Sequence, residues 1–207
     1  SLPLVYMATK TEQQLHLNLT KPTTMRTLNK TEKFALAMPI LAAASVMFLS
    51  PNSQAQELET VPYVDLEKYA GEWYEIASFP QSFQKGCTCT KATYSANEDG
   101  TIKVVNSCNL PEKGKTKTST AKAFVEDGSG NAKLNVQFFW PFRGKYWIID
   151  LAKDYSYAVV GHPNRKYLWI LSRTQEMDQA TYDGILQRVE EKGFDLEKLE
   201  KTIQCED

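Results

Sequence analysis

Between residues 73 and 173 the chain offers little besides short β-like runs, and their close spacing is what most restricts the fold. Eight segments, 73–79, 88–95, 101–109, 116–125, 132–140, 145–151, 156–161 and 167–173, are rich in β-branched and aromatic residues. Turn-forming sequences separate several of them: Asn97-Glu98-Asp99-Gly100, Asp127-Gly128-Ser129-Gly130 and His162-Pro163-Asn164. Hairpin-length connections join antiparallel neighbours, so the expected fold is an all-β antiparallel sandwich or barrel. Leu134, Val136 and Phe138 alternate with Lys133, Asn135 and Gln137, which gives that strand one apolar and one wet face.

One helix follows. Tyr182, Ile185, Leu186 and Val189 recur at i, i+3, i+4 and i+7, with Asp178 as N-cap and Gly193 as stop. A helix with a single apolar stripe, coming after eight strands, is expected to pack on the outside of the sheet.

Residues 34–49 read FALAMPILAAASVMFL, an uncharged apolar run of 16. Arg26, Lys30 and Lys33 precede it and Ser53-Gln54-Ala55 follows, the layout of a cleavable secretory signal. The run is short for a membrane span of about 20 residues, although an uncleaved anchor is the alternative. The expected division is 1–55 as N-terminal extension and signal, removed or disordered, and 56–207 as the folded domain. Met25 is a candidate start within that extension. Export to a bacterial periplasm or secretion is expected, or a thylakoid lumen if the source bears plastids.

The function classes narrow by charge and by chemistry. Lys plus Arg is 24 against 25 for Asp plus Glu, a formal net charge of −1, which argues against a nucleic-acid partner. With His16 inside the extension, His162 is the one histidine of 56–207, and it sits in a Gly-His-Pro turn. No Ser or Cys has a convincing His partner and no motif places a carboxylate pair, so no catalytic residue is assigned. Cys87, Cys89, Cys108 and Cys205 are even in number, which in an exported chain points to two disulfides. A CxC pair without a nearby His is a poor zinc pattern, so neither metal nor cofactor is expected. Ten Tyr, nine Phe and four Trp are enough to fill a core or to line an apolar pocket.

Three motifs then occur in order. Asp65-Leu66-Glu67-Lys68-Tyr69-Ala70-Gly71-Glu72-Trp73-Tyr74 opens the domain, Asp154-Tyr155-Ser156-Tyr157-Ala158-Val159-Val160 lies before the seventh turn, and Tyr167-Leu168-Trp169-Ile170-Leu171-Ser172-Arg173 ends the last strand. Together they resemble the lipocalins, and within them the bacterial lipocalin and apolipoprotein D-like group, over about 64–204. The resemblance implies an eight-stranded antiparallel up-and-down barrel with one C-terminal α-helix packed outside. It implies that Gly71, Trp73 and Arg173 form a structural plug at one end, by a cation–π contact, and that they are not ligand contacts.

The resemblance also implies the ligand site. Tyr94 and Trp169 match cavity-lining positions, and Val104, Leu134, Val136, Phe138, Tyr146 and Tyr157 are expected beside them. Phe83, Trp140 and Phe142 fall in loops at the mouth, where they either cap the cavity or make a peripheral membrane contact. The expected function is binding and carriage of a small hydrophobic ligand, a fatty acid or lysophospholipid, by a monomer or weak dimer. Its head would lie near Arg143, Lys145 or Lys166. The alternative is a lipocalin-fold enzyme that uses a cavity thiol.

For the cysteines, the resemblance suggests Cys89–Cys205. A CxC pattern like that of plastid lipocalins suggests Cys87–Cys108. An inward Tyr94 makes Cys87 and Cys89 point outward by parity, whereas an inward Val104 turns Cys108 inward unless a bulge intervenes.

Overall fold

The structure, a computed structural model, describes residues 57–205. The reading of 1–55 as extension and signal lies outside the described residues. A short helix α1 (Leu66–Tyr69) precedes eight strands: β1 (Gly71–Ser78), β2 (Thr88–Ala96), β3 (Ile102–Leu110), β4 (Lys115–Val125), β5 (Lys133–Phe139), β6 (Phe142–Leu151), β7 (Tyr157–Gly161) and β8 (Leu168–Ser172). Each pairs antiparallel with its neighbour in sequence, and β1 pairs with both β2 and β8, so the sheet closes on itself. Closure removes the exposed edges that an open sheet would present.

The alternation seen in sequence sorts side chains into two apolar layers. Trp73, Tyr94, Val104, Ala121, Ala123, Leu134, Ile148, Ala158, Val160 and Leu171 meet inside the barrel. Ile76, Phe79, Trp147, Ile149, Val159, Leu168 and Ile170 face outward and are covered by α2 (Gln179–Glu191). The helix buries the expected stripe through Tyr182, Ile185 and Val189, with Leu186 half-buried beside them. Asp178 caps it by accepting the Thr181 N–H at 2.9 Å. Arg188 fastens it to the barrel wall through Asp150 (2.8 Å) and the Tyr157 hydroxyl (2.9 Å). Gly161 makes room for this packing, since a Cβ there would lie 2.6 Å from the Phe194 ring.

Two details differ from the sequence reading. β6 begins at Phe142, so the connection expected between 132–140 and 145–151 is a tight Trp140-Pro141 turn with a cis peptide bond, closed by an edge-to-face Phe139–Phe142 pair. Beyond the helix, a two-residue strand β9 (Glu200–Lys201) pairs with Ala77 and Ser78. The β1–β2 ladder stops at Tyr74 and Lys91. Past that point the tail fills the gap, with Thr202 N–H bonded to Ile76 O (2.9 Å) and Cys89 N–H bonded to Ile203 O (2.7 Å).

The barrel interior as candidate ligand site

The strands reverse between two rims. One rim carries the start of β1 and the end of β8, and here the barrel is plugged. Trp73 is completely buried, and its Nε1 donates to the Tyr69 carbonyl at 2.8 Å. The Arg173 guanidinium lies 3.7 Å from the Trp73 ring centroid and donates to the carbonyls of Glu72 (2.7 Å), Lys68 (2.6 Å) and Tyr155 (3.3 Å). Gly71 sits in the left-handed region at φ +95°, which favours glycine, and the guanidinium passes 3.4 Å from where a Cβ would be.

Above the plug, three phenols form the floor. The Tyr69 and Tyr94 hydroxyls each lie within hydrogen-bond distance of the Tyr146 hydroxyl, at 2.7 and 2.8 Å. Burial pushes the pKa of Tyr94 up to about 12 and raises those of Tyr69 and Tyr146 well above the ordinary phenol value.

Higher up, the lining changes character. Trp169, Val136 and Tyr146 face the same interior as the buried floor residues but are only half-buried. In a barrel packed solid, inward side chains are buried along its whole length. Here the interior is filled at the plug and opens toward the other rim, a concave apolar and aromatic cavity suited to a small hydrophobic ligand.

The sequence reading did not find a polar girdle in this upper part. Glu75 and Ser78 lie opposite the inward residues Leu171 and Trp169. The Glu75 carboxyl accepts from Ser78 (2.9 Å), Gln84 (2.8 Å) and Thr202 (2.7 Å), and the Gln84 carbonyl accepts from Trp169 Nε1 at 3.3 Å. Lys117 shares the inner face of Ala121 and donates to the Phe83 carbonyl at 2.6 Å, so the β1–β2 loop is drawn over the rim. Charged residues on strands read as solvent-facing, and of the partners of Glu75 only Ser78 is local while Gln84 and Thr202 come from other segments, so no local signal marks the girdle.

Most expected lining residues lie where alternation places them. Tyr94, Val104 and Leu134 are buried in the inner layer, and Val136, Tyr146 and Trp169 border the open part. Tyr157 is a correction. It packs in the outer layer, with its hydroxyl on Arg188, because Ala158 and Val160 are the inward residues of β7. Phe138, beside a shift of the β5–β6 register between Val136 and Phe139, is 48% exposed at the rim. Arg143 and Lys145 flank the inward Gly144 and turn outward, over the rings of Phe124 and Trp147, so they do not face a ligand head inside the barrel. Phe83 in the β1–β2 connection and Trp140 and Phe142 at the β5–β6 turn are 55%, 84% and 69% exposed.

Both expected disulfides are present, Cys89–Cys205 and Cys87–Cys108. The parity conflict is resolved on β2 and not on β3. Three steps from Thr88 to Lys91 face two from Asn109 to Ser107, and Cys89 takes φ +54° in that bulge. The extra residue lets Cys87 meet the buried, inward Cys108 while Cys89 turns out to the tail, so the expectation that both point outward holds only for Cys89. With no free cysteine in the chain, the cavity-thiol enzyme is overturned. His162 Nδ1 accepts the Asn164 N–H at 3.1 Å, which makes it a turn residue. Among the described residues no group of His, Cys, Asp and Glu is placed to hold a metal ion.

Comparison with known proteins agrees with this architecture. A family profile described as a lipocalin-like domain matches residues 64–204. The chain is 41% identical to temperature-induced lipocalin-1 of Arabidopsis thaliana, over 74% of this chain and 87% of that protein. It is 37% identical to the outer membrane lipoprotein Blc of Escherichia coli K12 (78% and 94% covered) and 32% identical to apolipoprotein D of Bos taurus (80% and 93% covered). Among solved structures, insecticyanin from the tobacco hornworm Manduca sexta superposes with a TM-score of 0.59 at 22% identity, covering 72% of this chain and 86% of that one. The matched span covers all eight strands and the helix, and the chain belongs to the lipocalin family.

Proposed function

We propose that this lipocalin carries a fatty acid, lysophospholipid or similar lipid and exchanges it with membranes, in storage, repair or stress protection, as a monomer or weak dimer. The observation that carries the reading is the half-buried Trp169, Val136 and Tyr146 above a fully buried floor. An apolar chain laid against them leaves water at about 25 cal/mol per Å², before binding costs are subtracted. With Arg143 and Lys145 turned outward, the half-buried Lys117 on the inner face of β4 is a cation near the rim for an acidic head.

The rim supports the membrane step. Phe83, Phe139, Trp140 and Phe142 are large apolar side chains exposed at or beside the mouth loops, and Arg143 and Lys145 lie beside them. Aromatics next to cations suit a lipid interface, where the rings enter and the charges meet phosphate. Kinship with bacterial outer membrane lipoproteins supports export, to a periplasm or the outside. A thylakoid lumen is the counterpart in a plastid-bearing source, and the paired CxC pattern supports that branch.

A transfer assay tests both parts. Fluorescent lysophosphatidylcholine should leave anionic vesicles for the wild-type protein at one molecule per chain. Transfer to a Trp140→Ser/Phe142→Ser variant should be several-fold slower at unchanged capacity. No uptake at all contradicts the carrier reading, and equal rates contradict the membrane contact alone.

A further inference from the structure

Tyr69 precedes β1, Tyr94 lies on β2 and Tyr146 on β6, yet the three hydroxyls converge on one point inside the barrel. Their rings pack against one another, Tyr69 to Tyr94 at 5.4 Å and Tyr94 to Tyr146 at 6.1 Å. Trp73 closes the floor beneath Tyr69, with its own Nε1 committed to a carbonyl. Around them the floor is apolar: Val104, Ala121, Ala123, Leu134 and Ile148.

The proton count of this cluster does not close. Burial holds all three phenols neutral at ordinary pH, so three O–H protons are present. Two hydrogen bonds join them. Whichever oxygen donates, one O–H is left with no protein acceptor among the described residues. Three Phe side chains would fill the same space and leave no donor unsatisfied, so burying three hydroxyls here is a cost unless something takes the third proton. Tyr146 is half-buried and faces the open part of the interior, so the cluster borders the ligand space.

We infer that the three-tyrosine cluster is a binding subsite for an oxygen acceptor on the leading end of the ligand, a hydroxyl or carbonyl carried at the inner tip of an apolar chain or ring system. The inference rests on the carrier reading and deepens it. The acceptor takes the spare proton, and a ligand hydroxyl can also donate to a free lone pair of the cluster. A plain hydrocarbon tip does neither and leaves the spare donor buried. The site therefore discriminates between oxygenated and saturated tips, since a buried polar group without a partner is what separates such ligands most strongly.

The test uses lysophosphatidylcholines with saturated chains of fourteen, sixteen and eighteen carbons, each with and without a hydroxyl on the last carbon. The zwitterionic head stays at the rim, so the chain tip leads. In the wild-type protein, at the length that reaches the floor, the hydroxylated lipid should bind at least as tightly as its plain counterpart. In a Tyr69→Phe/Tyr94→Phe/Tyr146→Phe variant the plain lipid should bind within about threefold of wild type, while the hydroxylated one weakens by roughly 10- to 100-fold. A hydroxylated lipid about tenfold or more weaker than the plain one at every length in the wild-type protein overturns the inference, and this comparison needs no variant to fold. Binding of plain lipid with rejection of the hydroxylated one removes only the subsite. Binding of neither removes the carrier reading with it.

Discussion

The guanidinium of Arg173, at the end of β8, lies 3.7 Å over the ring of Trp73 on β1, and its two terminal nitrogens hold the carbonyls of Glu72 and Lys68. One side chain thus ties the last strand to the first and to α1. Arg173→Ala removes a cation–π contact worth about 0.5–2 kcal/mol together with these hydrogen bonds, so denaturant unfolding should show a loss of about 1–3 kcal/mol. Arg173→Lys should restore only part, because an ammonium cannot span both carbonyls in a planar fork. Lipid affinity should stay within about threefold, since the plug lies beneath the cavity. An unchanged unfolding midpoint would refute the structural role.

Trp169 and Tyr157 give opposite outcomes in a binding assay. Trp169 borders the open interior, so Trp169→Ala should weaken a bound lysolipid by about tenfold, the worth of a large aromatic contact of roughly 1–2 kcal/mol. Tyr157 lies in the layer beneath α2, so Tyr157→Phe should leave affinity unchanged and cost about 0.5–1.5 kcal/mol of stability through its bond from Arg188. Titration calorimetry on both variants decides, and a loss of affinity in Tyr157→Phe would return that residue to the inner face assumed from sequence.

The phenol floor makes stability depend on alkaline pH. The pKa of Tyr94 rises from 10.0 to about 12 on folding, through burial. Its neutral form is favoured in the folded state, so its stabilisation is whole below pH 10 and drains away as pH climbs from 10 toward 12. By pH 11 Tyr94 alone should account for roughly 1–1.5 kcal/mol of lost stability. Tyr69 and Tyr146 act in the same direction. Urea unfolding at pH 9 and 11 should show this loss, and Tyr94→Phe should lessen it. Identical losses in the two proteins would place the alkaline sensitivity elsewhere.

The two disulfides should differ in weight. Cys89–Cys205 joins positions 116 apart and pins the tail that fills the gap between β1 and β2, whereas Cys87–Cys108 joins positions 21 apart. Loop-closure entropy gives about 5 kcal/mol for the first and about 3 for the second. Cys89→Ser/Cys205→Ser should therefore destabilise more than Cys87→Ser/Cys108→Ser when both are unfolded under the same conditions. The opposite order would mean that the tail is held chiefly by its backbone bonds to Ile76 and Cys89.

Eight strands and the outer helix were legible because each leaves a local trace, in alternation, turn residues and an i, i+3, i+4 stripe, whereas the plug was legible only through the resemblance of its Gly-x-Trp and distant Arg to the lipocalin motifs. The facing of β7 left no such trace. Its inner residues Ala158 and Val160 and its outer residues Tyr157 and Val159 are all apolar, because α2 covers the outside and both faces are buried. The bulge at Cys89 reverses the facing of the start of β2 without any glycine to announce it. Glu75 was invisible as an inward residue because what satisfies it, Gln84 and Thr202, comes together only in the folded chain. In sequence Arg143 falls in a connection, which has no inside or outside, and Lys145 at the first position of a strand, whereas in β6 alternation sends both out.

Native mass spectrometry of the freshly purified protein, followed by solvent extraction and then by incubation with palmitoyl lysophosphatidylcholine, addresses the hollow interior directly. One lipid-sized adduct per folded chain, lost when the chain unfolds and regained on incubation with the lysolipid, is the predicted spectrum. A chain that leaves its host empty and stays at its own mass after incubation, in a buffer where it is folded, would mean that the barrel carries nothing.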